Sequence, residues 1–225
     1  MPPGAPQRPE LRLVLAVSLD GRLAPATGGA AQIGGRGDRR ALEEALAWAD
    51  GALIGAETLR RHGSTCLIHA PDLLTARAVA RRPAQPPAIA VSRSAAFPAD
   101  LPFFRQPLER WLLAPPPEDG STPAVPPGFS RRLRLRDWSL TLDRLGRLGF
   151  RRIALLGGAT LAGTLAAEGL IDELQLTLCP CLLGGPHQWL PPTCGGLAGD
   201  GGAWSLAEHR PLGGDELLLR YRRRG

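Results

Sequence analysis

The residue types in this chain that could do chemistry gather at three corners, where an apolar run gives way to glycine or hydroxyl side chains. In the stretch Leu155-Leu156-Gly157-Gly158-Ala159-Thr160, the glycine pair permits a turn free of side chains, and a helix from Thr160 to Glu168 aims backbone amides at an anion. Thr160 is expected at the N-cap, where it adds a hydroxyl. A second corner of the same design, Gly55-Ala56-Glu57-Thr58, follows the apolar run Ala52-Leu53-Ile54. The third, Ser92-Arg93-Ser94, closes the run Ala88-Ile89-Ala90-Val91. Two hydroxyls around an arginine suit a phosphate monoester, such as the 2′-phosphate that separates NADP from NAD. Each corner alone reads equally as tight packing or a polar turn; three in one chain suit an extended phosphorylated ligand.

Asp20 ends the apolar run Leu11 to Val17, at the strand edge where ligands sit in open α/β sheets. It is either the polar group nearest the reacting atoms, as proton donor or through a water, or an acceptor for the turn at Gly21. His62 is the second candidate, because a histidine side chain can exchange a proton under physiological conditions, against a plain surface role. The chain has no lysine, which excludes a catalytic or Schiff-base lysine. Cys66, Cys179, Cys181 and Cys194 form no C-x-x-C pair and have no histidine at ligand spacing, so no metal site is expected. Cys179 and Cys181 read as buried free thiols alternating on one strand face.

These residues need a frame, and the hydrophobic periodicity supplies one. Strands are expected at Leu11 to Val17, Ala52 to Gly55, Ala88 to Val91, Trp111 to Ala114, Arg132 to Leu135, Arg152 to Leu156 and Leu174 to Leu178. Helices alternate with them: from a cap at Asp38 to about Trp48, from the Thr58 corner onward, between Pro71 and Pro87, from Asp137 or Ser139 to Gly149, and from Thr160. Trp204 to Glu208 and Glu216 to Tyr221 flank Gly213-Gly214-Asp215 as an antiparallel hairpin. The order predicts a mixed, mostly parallel α/β sheet flanked by helices.

A chain of 225 residues with 44% hydrophobic content can bury one sizeable core, expected over 11–225 behind a disordered Pro-rich leader at 1–10. No apolar run is long enough to cross a bilayer, and the first residues lack the apolar segment of a signal peptide; a cytoplasmic protein without membrane contact is expected. The net charge of +6 comes from arginines scattered in pairs rather than from a stripe with interleaved aromatics, so no nucleic-acid partner is expected.

Five segments in order carry a resemblance: VSLDG (17–21), GALIGAETLR (51–60), LLGGATLAGTLAAEGLIDEL (155–174), PCLLGG (180–185) and HRPLGGDELLLRY (209–221). The chain resembles the dihydrofolate-reductase-like C-terminal reductase domain of the riboflavin-biosynthesis deaminase/reductase. The resemblance implies an NADPH-dependent reductase, usually a homodimer, that turns the ribosyl side chain of 5-amino-6-(5-phosphoribosylamino)uracil into ribityl. It implies that Gly55, Thr58, Gly157, Gly158, Thr160 and Leu161 hold the pyrophosphate and nicotinamide ribose, and that Ser92 and Arg93 hold the 2′-phosphate. The zinc signature of the deaminase half is absent from this sequence, which implies a separate deaminase in the pathway.

The chain also departs from the family pattern. The family's first-strand lysine falls at or beside Val14, its acid before the glycine pair falls on Leu156, and its Asp-Asp-Pro falls on His62-Gly63-Ser64. The Ser and Trp of its first loop fall on Ala30 and Gln32. Apolar residues at positions that read a polar heterocycle disfavour that substrate. Two further readings therefore stand beside the first: a related NADPH reductase of another pterin, pyrimidine or carbonyl compound, and a non-catalytic NADPH-binding partner of a separate deaminase.

Overall fold

The computed structural model describes residues 8–29, 32–117, 123–190 and 204–224. Ala30, Cys194 and the start of the expected leader lie outside the described residues. Nine strands form one sheet, with β1 (Glu10–Ser18), β2 (Gly51–Gly55), β3 (Ala88–Val91), β4 (Arg110–Ala114), β5 (Arg131–Arg134), β6 (Arg152–Leu155), β7 (Glu173–Cys179), β8 (Trp204–Gly213) and β9 (Glu216–Arg223). Their order across the sheet is β5-β4-β3-β2-β6-β1-β7-β9-β8. All pairs from β5 to β7 are parallel, and β9 and β8 close the sheet antiparallel, as the sequence pattern predicts. The first strand begins one residue earlier than expected, and Arg8 already grips Asp172 with two bonds of 2.7 Å.

Parallel strands buried on both faces explain the unbroken apolar runs. Leu13, Leu53, Ile89 and Leu113 point to one face, where they pack with Trp138, Leu142 and Leu145 of α4 (Trp138–Arg147) and Leu161 and Leu165 of α5 (Ala159–Ala167). Their neighbours point the other way. Val14 and Ala154 meet Ala45 of α1 (Arg36–Trp48) and Ala49 just past its end, and Ile54, Ala88 and Leu112 meet Leu59 of α2 (Ala56–His62). Leu73 and Leu74 of α3 (Pro71–Val79) complete that layer beside Leu46, Ala52 and Ile68. The third helix is shorter than the segment its flanking prolines enclose. None of the described helices is long and apolar enough to cross a membrane.

Strand β7 reverses the usual logic of burial. Its polar residues Glu173, Gln175 and Thr177 are buried on the α1 face, while Leu174, Leu176 and Leu178 on the opposite face keep partial exposure. The burial is tolerated because each polar group is paired. Glu173 takes Arg12 and Arg222, each at 2.7 Å, and Gln175 donates to the Ala41 carbonyl at 3.0 Å. Cys181 falls beyond the strand, which ends at Cys179.

Arginine does the end-capping that a lysine-free chain requires of it. Arg77, 2% exposed, reaches the carbonyls of Leu46, Ala47 and Ala49 at 3.2, 3.1 and 2.8 Å and that of Pro83 at 2.7 Å. Arg82 reaches Ala47 and Trp48, both at 2.9 Å. These cations satisfy the open carbonyls at the end of α1 and oppose its dipole. Burial lowers the Arg77 guanidinium to about 10. Replacing Arg77 by Met takes its donors from all four carbonyls and leaves those of Leu46 and Pro83 without the side-chain donor they have, Arg82 still serving Ala47 and Ala49; urea unfolding of Arg77→Met is predicted to lose about 2 kcal/mol through a lower midpoint at unchanged slope. A loss below about 0.5 kcal/mol would contradict this role.

Candidate active site

The sheet order brings the three corners side by side. β6 returns between β2 and β1, so the C-terminal ends of β3, β2, β6 and β1 lie in a row on one edge of the sheet. Ligands of open α/β sheets sit in this kind of crevice, where the strand order reverses. Ser92, Gly55, Gly157-Gly158 and the Asp20 turn follow one another along it.

Two of the corners meet backbone to backbone. A β-carbon at Gly55 would lie 3.9 Å from both the Gly157 carbonyl and the Gly158 Cα, and one at Gly158 would lie 3.2 Å from Thr58 Oγ1. Gly157 and Gly158 have φ of 90° and 97°, a region that favours glycine. Gly158, rather than Thr160, is the N-cap of α5, and Gly55 is the N-cap of α2; neither helix start carries a side-chain cap bond. The first amides of both helices are thus left for an outside acceptor. Thr160 is exposed, Leu161 is buried beneath the corner, and Thr58 is half-buried.

At the third corner, Ser92 is buried and its hydroxyl accepts from the Ala95 amide at 3.1 Å, holding the turn. Arg93 is exposed, and no ion pair holds it among the described residues. Arg60 of α2 ties the two corners together through the Ser94 hydroxyl at 3.3 Å and the Ala96 carbonyl at 2.7 Å. The glycine cradle, the open amides and the free guanidinium of Arg93 fit a phosphorylated dinucleotide.

Asp20 is engaged on both oxygens. Ser18 Oγ donates to it at 2.5 Å, and the amides of Leu183 and Gly184 donate at 3.1 and 2.8 Å. These bonds, that of Ser18 first, hold its carboxyl down at about 2, so it is ionised at neutral pH and has no proton to give. Its task here is to anchor the 181–185 segment to the end of β1. His62, at the end of α2, is exposed.

The positions that depart from the family pattern lie on the α1 face. Val14 is buried beneath Ala45, and Leu156 packs both into that cluster and into the one that holds Cys66 and Ile68. Leu156 therefore bridges α1 and the 63–68 segment that follows α2. Arg39 reaches the Leu67 carbonyl of that segment at 3.4 Å, and Glu43 accepts from the amides of His69 and Ala70 at 2.8 and 2.9 Å. Gln32 is exposed and Gly63 half-buried.

Three polar residues at this place are missed by reading the sequence alone. Asp38 is expected there as the cap of α1, yet the helix starts at Arg36 and its open amides go to Glu216 of β9, which accepts from Gly35 and, at 3.0 Å, from Asp38. Asp38 itself turns toward the sheet, where it lies beside Thr177 of β7. Burial, then the neighbouring Glu216 carboxylate, raises its carboxyl against the pull of Thr177 and Arg39. Thr65 is buried, and its hydroxyl has no partner among the described residues. No periodicity marks these three; only the glycines at Gly34 and Gly35 before the helix hint at close approach.

A separate crevice of about 200 Å³ lies between α1 and the C-terminal hairpin, lined by Arg12, Trp48, Arg210 and Arg220 among others. Its charges are matched from within. Arg12 pairs with Glu173 and stacks 3.8 Å from the Trp48 ring centre, and Arg210 pairs with Glu44 at 2.6 Å. Among the described residues no group of His, Cys, Asp or Glu side chains is placed to hold a metal ion.

A family model described as the RibD C-terminal domain matches residues 9–218. The chain belongs to this family, the dihydrofolate-reductase-like reductases of riboflavin biosynthesis. The 2,5-diamino-6-ribosylamino-4(3H)-pyrimidinone 5′-phosphate reductase of Methanothermobacter thermautotrophicus is 30% identical over 189 residues, 79% of this chain and 81% of that protein. RibD of Acinetobacter baumannii superposes with a TM-score of 0.78 at 22% identity, over 96% of this chain and 58% of that one. A dihydrofolate reductase from Enterococcus faecalis, complexed with NADP(H), superposes with a TM-score of 0.55 at 12% identity, over 97% of this chain and 99% of that one. The two superpositions speak for the fold.

The anchoring role of Asp20 has a pH signature. Its folded value of about 2 lies below the ordinary aspartate value of about 3.9, so its contribution to stability is complete above about pH 4 and is lost as pH falls toward 2. Urea unfolding of the wild type and Asp20→Asn is predicted to differ at neutral pH and to converge as pH falls through that window. A difference that stays constant down to pH 2 would contradict the anchor.

Proposed function

We propose that this protein is an NADPH-dependent reductase that converts the ribosylamino group of a pyrimidine ribosyl 5′-phosphate into a ribitylamino group. The observation that carries the reading is the meeting of Gly55 with Gly157 and Gly158 above two uncapped helix starts, in a chain of this reductase family. In this reading the amides after Gly158 and Gly55 hold the pyrophosphate, with Thr58, Thr160 and Leu161 along the nicotinamide ribose, and Ser92 and Arg93 take the 2′-phosphate. Bound NADPH supplies the hydride. The chain's own residues align the two ligands: the glycine cradle fixes one, and the sheet edge beside it, between the end of β1 and the first turn of α1, receives the pyrimidine.

The choice of pyrimidine is a specific part of the proposal. Val14 and Leu156 replace charged groups of the deaminase/reductase pattern with a packed apolar pair, which speaks against the deaminated uracil that the pattern implies. The archaeal relative is named for the 2,5-diamino compound, and we assign this chain the same class of substrate, upstream of a separate deaminase.

A homodimer belongs to the same reading. Leu174, Leu176 and Leu178 of β7 lie beside Tyr221, Leu219 and Leu217 of β9 on a face that keeps partial exposure, and a second copy would cover it. Light scattering is predicted to give twice the chain mass, and Leu176→Arg to give the monomer.

Two measurements test the function. Calorimetric titration is predicted to find NADPH bound at least tenfold more tightly than NADH, with the preference lost in Arg93→Ala. NADPH oxidation is predicted with the 2,5-diamino substrate and to be weaker with its deaminated counterpart. Binding of neither dinucleotide would sink the reductase reading, and binding without oxidation of either compound would move it to another substrate.

A further inference from the structure

Reduction of the ring-opened sugar imine needs a proton as well as a hydride, and the groups that first offer themselves do not provide it. Asp20 is held ionised on both oxygens, His62 is exposed at the end of α2, and Leu156 stands where an acid would meet the glycine pair. A carboxyl lies on the same sheet edge, at the C-terminal end of β7, two strands along from the Gly157-Gly158 corner. We propose that Asp38 is the proton donor of the reduction, presented on the first turn of α1 above the C-terminal end of β7 and set in place by Thr177 and Glu216; the inference rests on the reductase reading above.

The placement follows from register and packing. Thr177, which lies beside Asp38, pairs in β7 with Ala16 of β1. Ala16 interrupts the buried run of β1 with a small, half-buried residue on the α1 face, close to where Gly157 lies against Leu15. Gly34 lets the carboxylate lie directly over the backbone, since a β-carbon at Gly34 would come within 2.5 Å of the Asp38 carboxyl carbon. Glu216 caps α1 from β9, which makes it a positioning residue for Asp38.

The 63–68 segment adds a second sign of a ligand. Cys66, in the 63–68 segment, lies within electrostatic reach of Asp38 and Arg39. Next to it the Thr65 hydroxyl is 8% exposed and has no partner among the described residues, a buried polar group that a bound polar heterocycle would satisfy. The charged and titratable groups that bear on Asp38 are Arg39 on its own helix, Glu216 from β9, and Cys66 and Cys179 from the segment and strand packed against it. Burial and Glu216 favour its protonated form, which is the form the step requires.

The step balances. Hydride from the bound reduced nicotinamide dinucleotide adds to C1 of the imine, and the proton of Asp38 passes to the imine nitrogen. The C=N π bond breaks as the C–H and N–H bonds form. The Asp38 carboxylate left behind is reprotonated by water.

The test has a readout apart from turnover. Carbon-13 NMR of the Asp38 carboxyl in the free protein is predicted to show a titration midpoint above the ordinary aspartate value of about 3.9, and Glu216→Gln is predicted to move it down. With NADPH and the 2,5-diamino substrate, Asp38→Asn is predicted to lower kcat about a hundredfold at unchanged NADPH affinity, and Asp38→Glu to recover part of it. The wild-type rate falls at high pH, that limb moves to lower pH in Glu216→Gln, and it disappears in Asp38→Asn. An Asp38 midpoint at or below the ordinary value overturns the assignment. So does an Asp38→Asn enzyme that binds NADPH and keeps kcat and its alkaline limb. A wild type that binds no NADPH overturns the reductase reading itself, and the proton-donor role falls with it.

Discussion

Gly158 lies against Gly55, and this close backbone contact is what the site depends on. It is a product of topology: the chain runs outward through β2, β3, β4 and β5, then returns to lay β6 between β2 and β1. Only that return puts two strand-to-helix corners at adjacent places on the sheet edge. A β-carbon at Gly158 would press on Thr58 at 3.2 Å, and φ near 97° there would strain most other residues. The open amides of two helices then lie side by side at one place on the sheet edge, an arrangement that suits a diphosphate.

Around that contact the two faces of the sheet divide the work. The α4–α5 face is apolar from Leu11 to Ile171 and supplies rigidity. The α1 face mixes small apolar residues with buried, paired polar ones, among them Glu173, Gln175 and Thr177. Buried polar groups are costly unless satisfied, and here each draws on a partner from a distant element. Glu173 joins β1, β7 and β9 through three arginines, and Glu216 joins β9 to the start of α1. The C-terminal hairpin is thereby part of the site's support although it lies at the far edge of the sheet.

The three corners are legible in the sequence because each is local: an apolar run closed by a glycine or hydroxyl, with a helix directly after the first two. The alternation of strand and helix is legible for the same reason. Asp137 caps α4 by accepting from the Leu140 amide at 2.9 Å, as its place before the helix predicts. What escapes is set by contacts across the chain. The cap of α1 comes from Glu216, 178 residues from Asp38, and frees Asp38 to face the sheet. The leucines of β7 look like core and prove to be the less buried face, because the polar residues between them find arginine and helix partners. Leu156 shows both sides: its apolarity is plain from the sequence, while its bridging of α1 to the 63–68 segment needs the fold.

The central claim is that the meeting corners hold a phosphorylated dinucleotide. Amide hydrogen exchange followed with and without NADPH tests it most directly. The account predicts slowed exchange at Ala159, Thr160 and Leu161 and at Ala56 and Glu57, with β4 and β5 unchanged. Equal exchange at both helix starts, with NADPH present at saturating concentration, would contradict it.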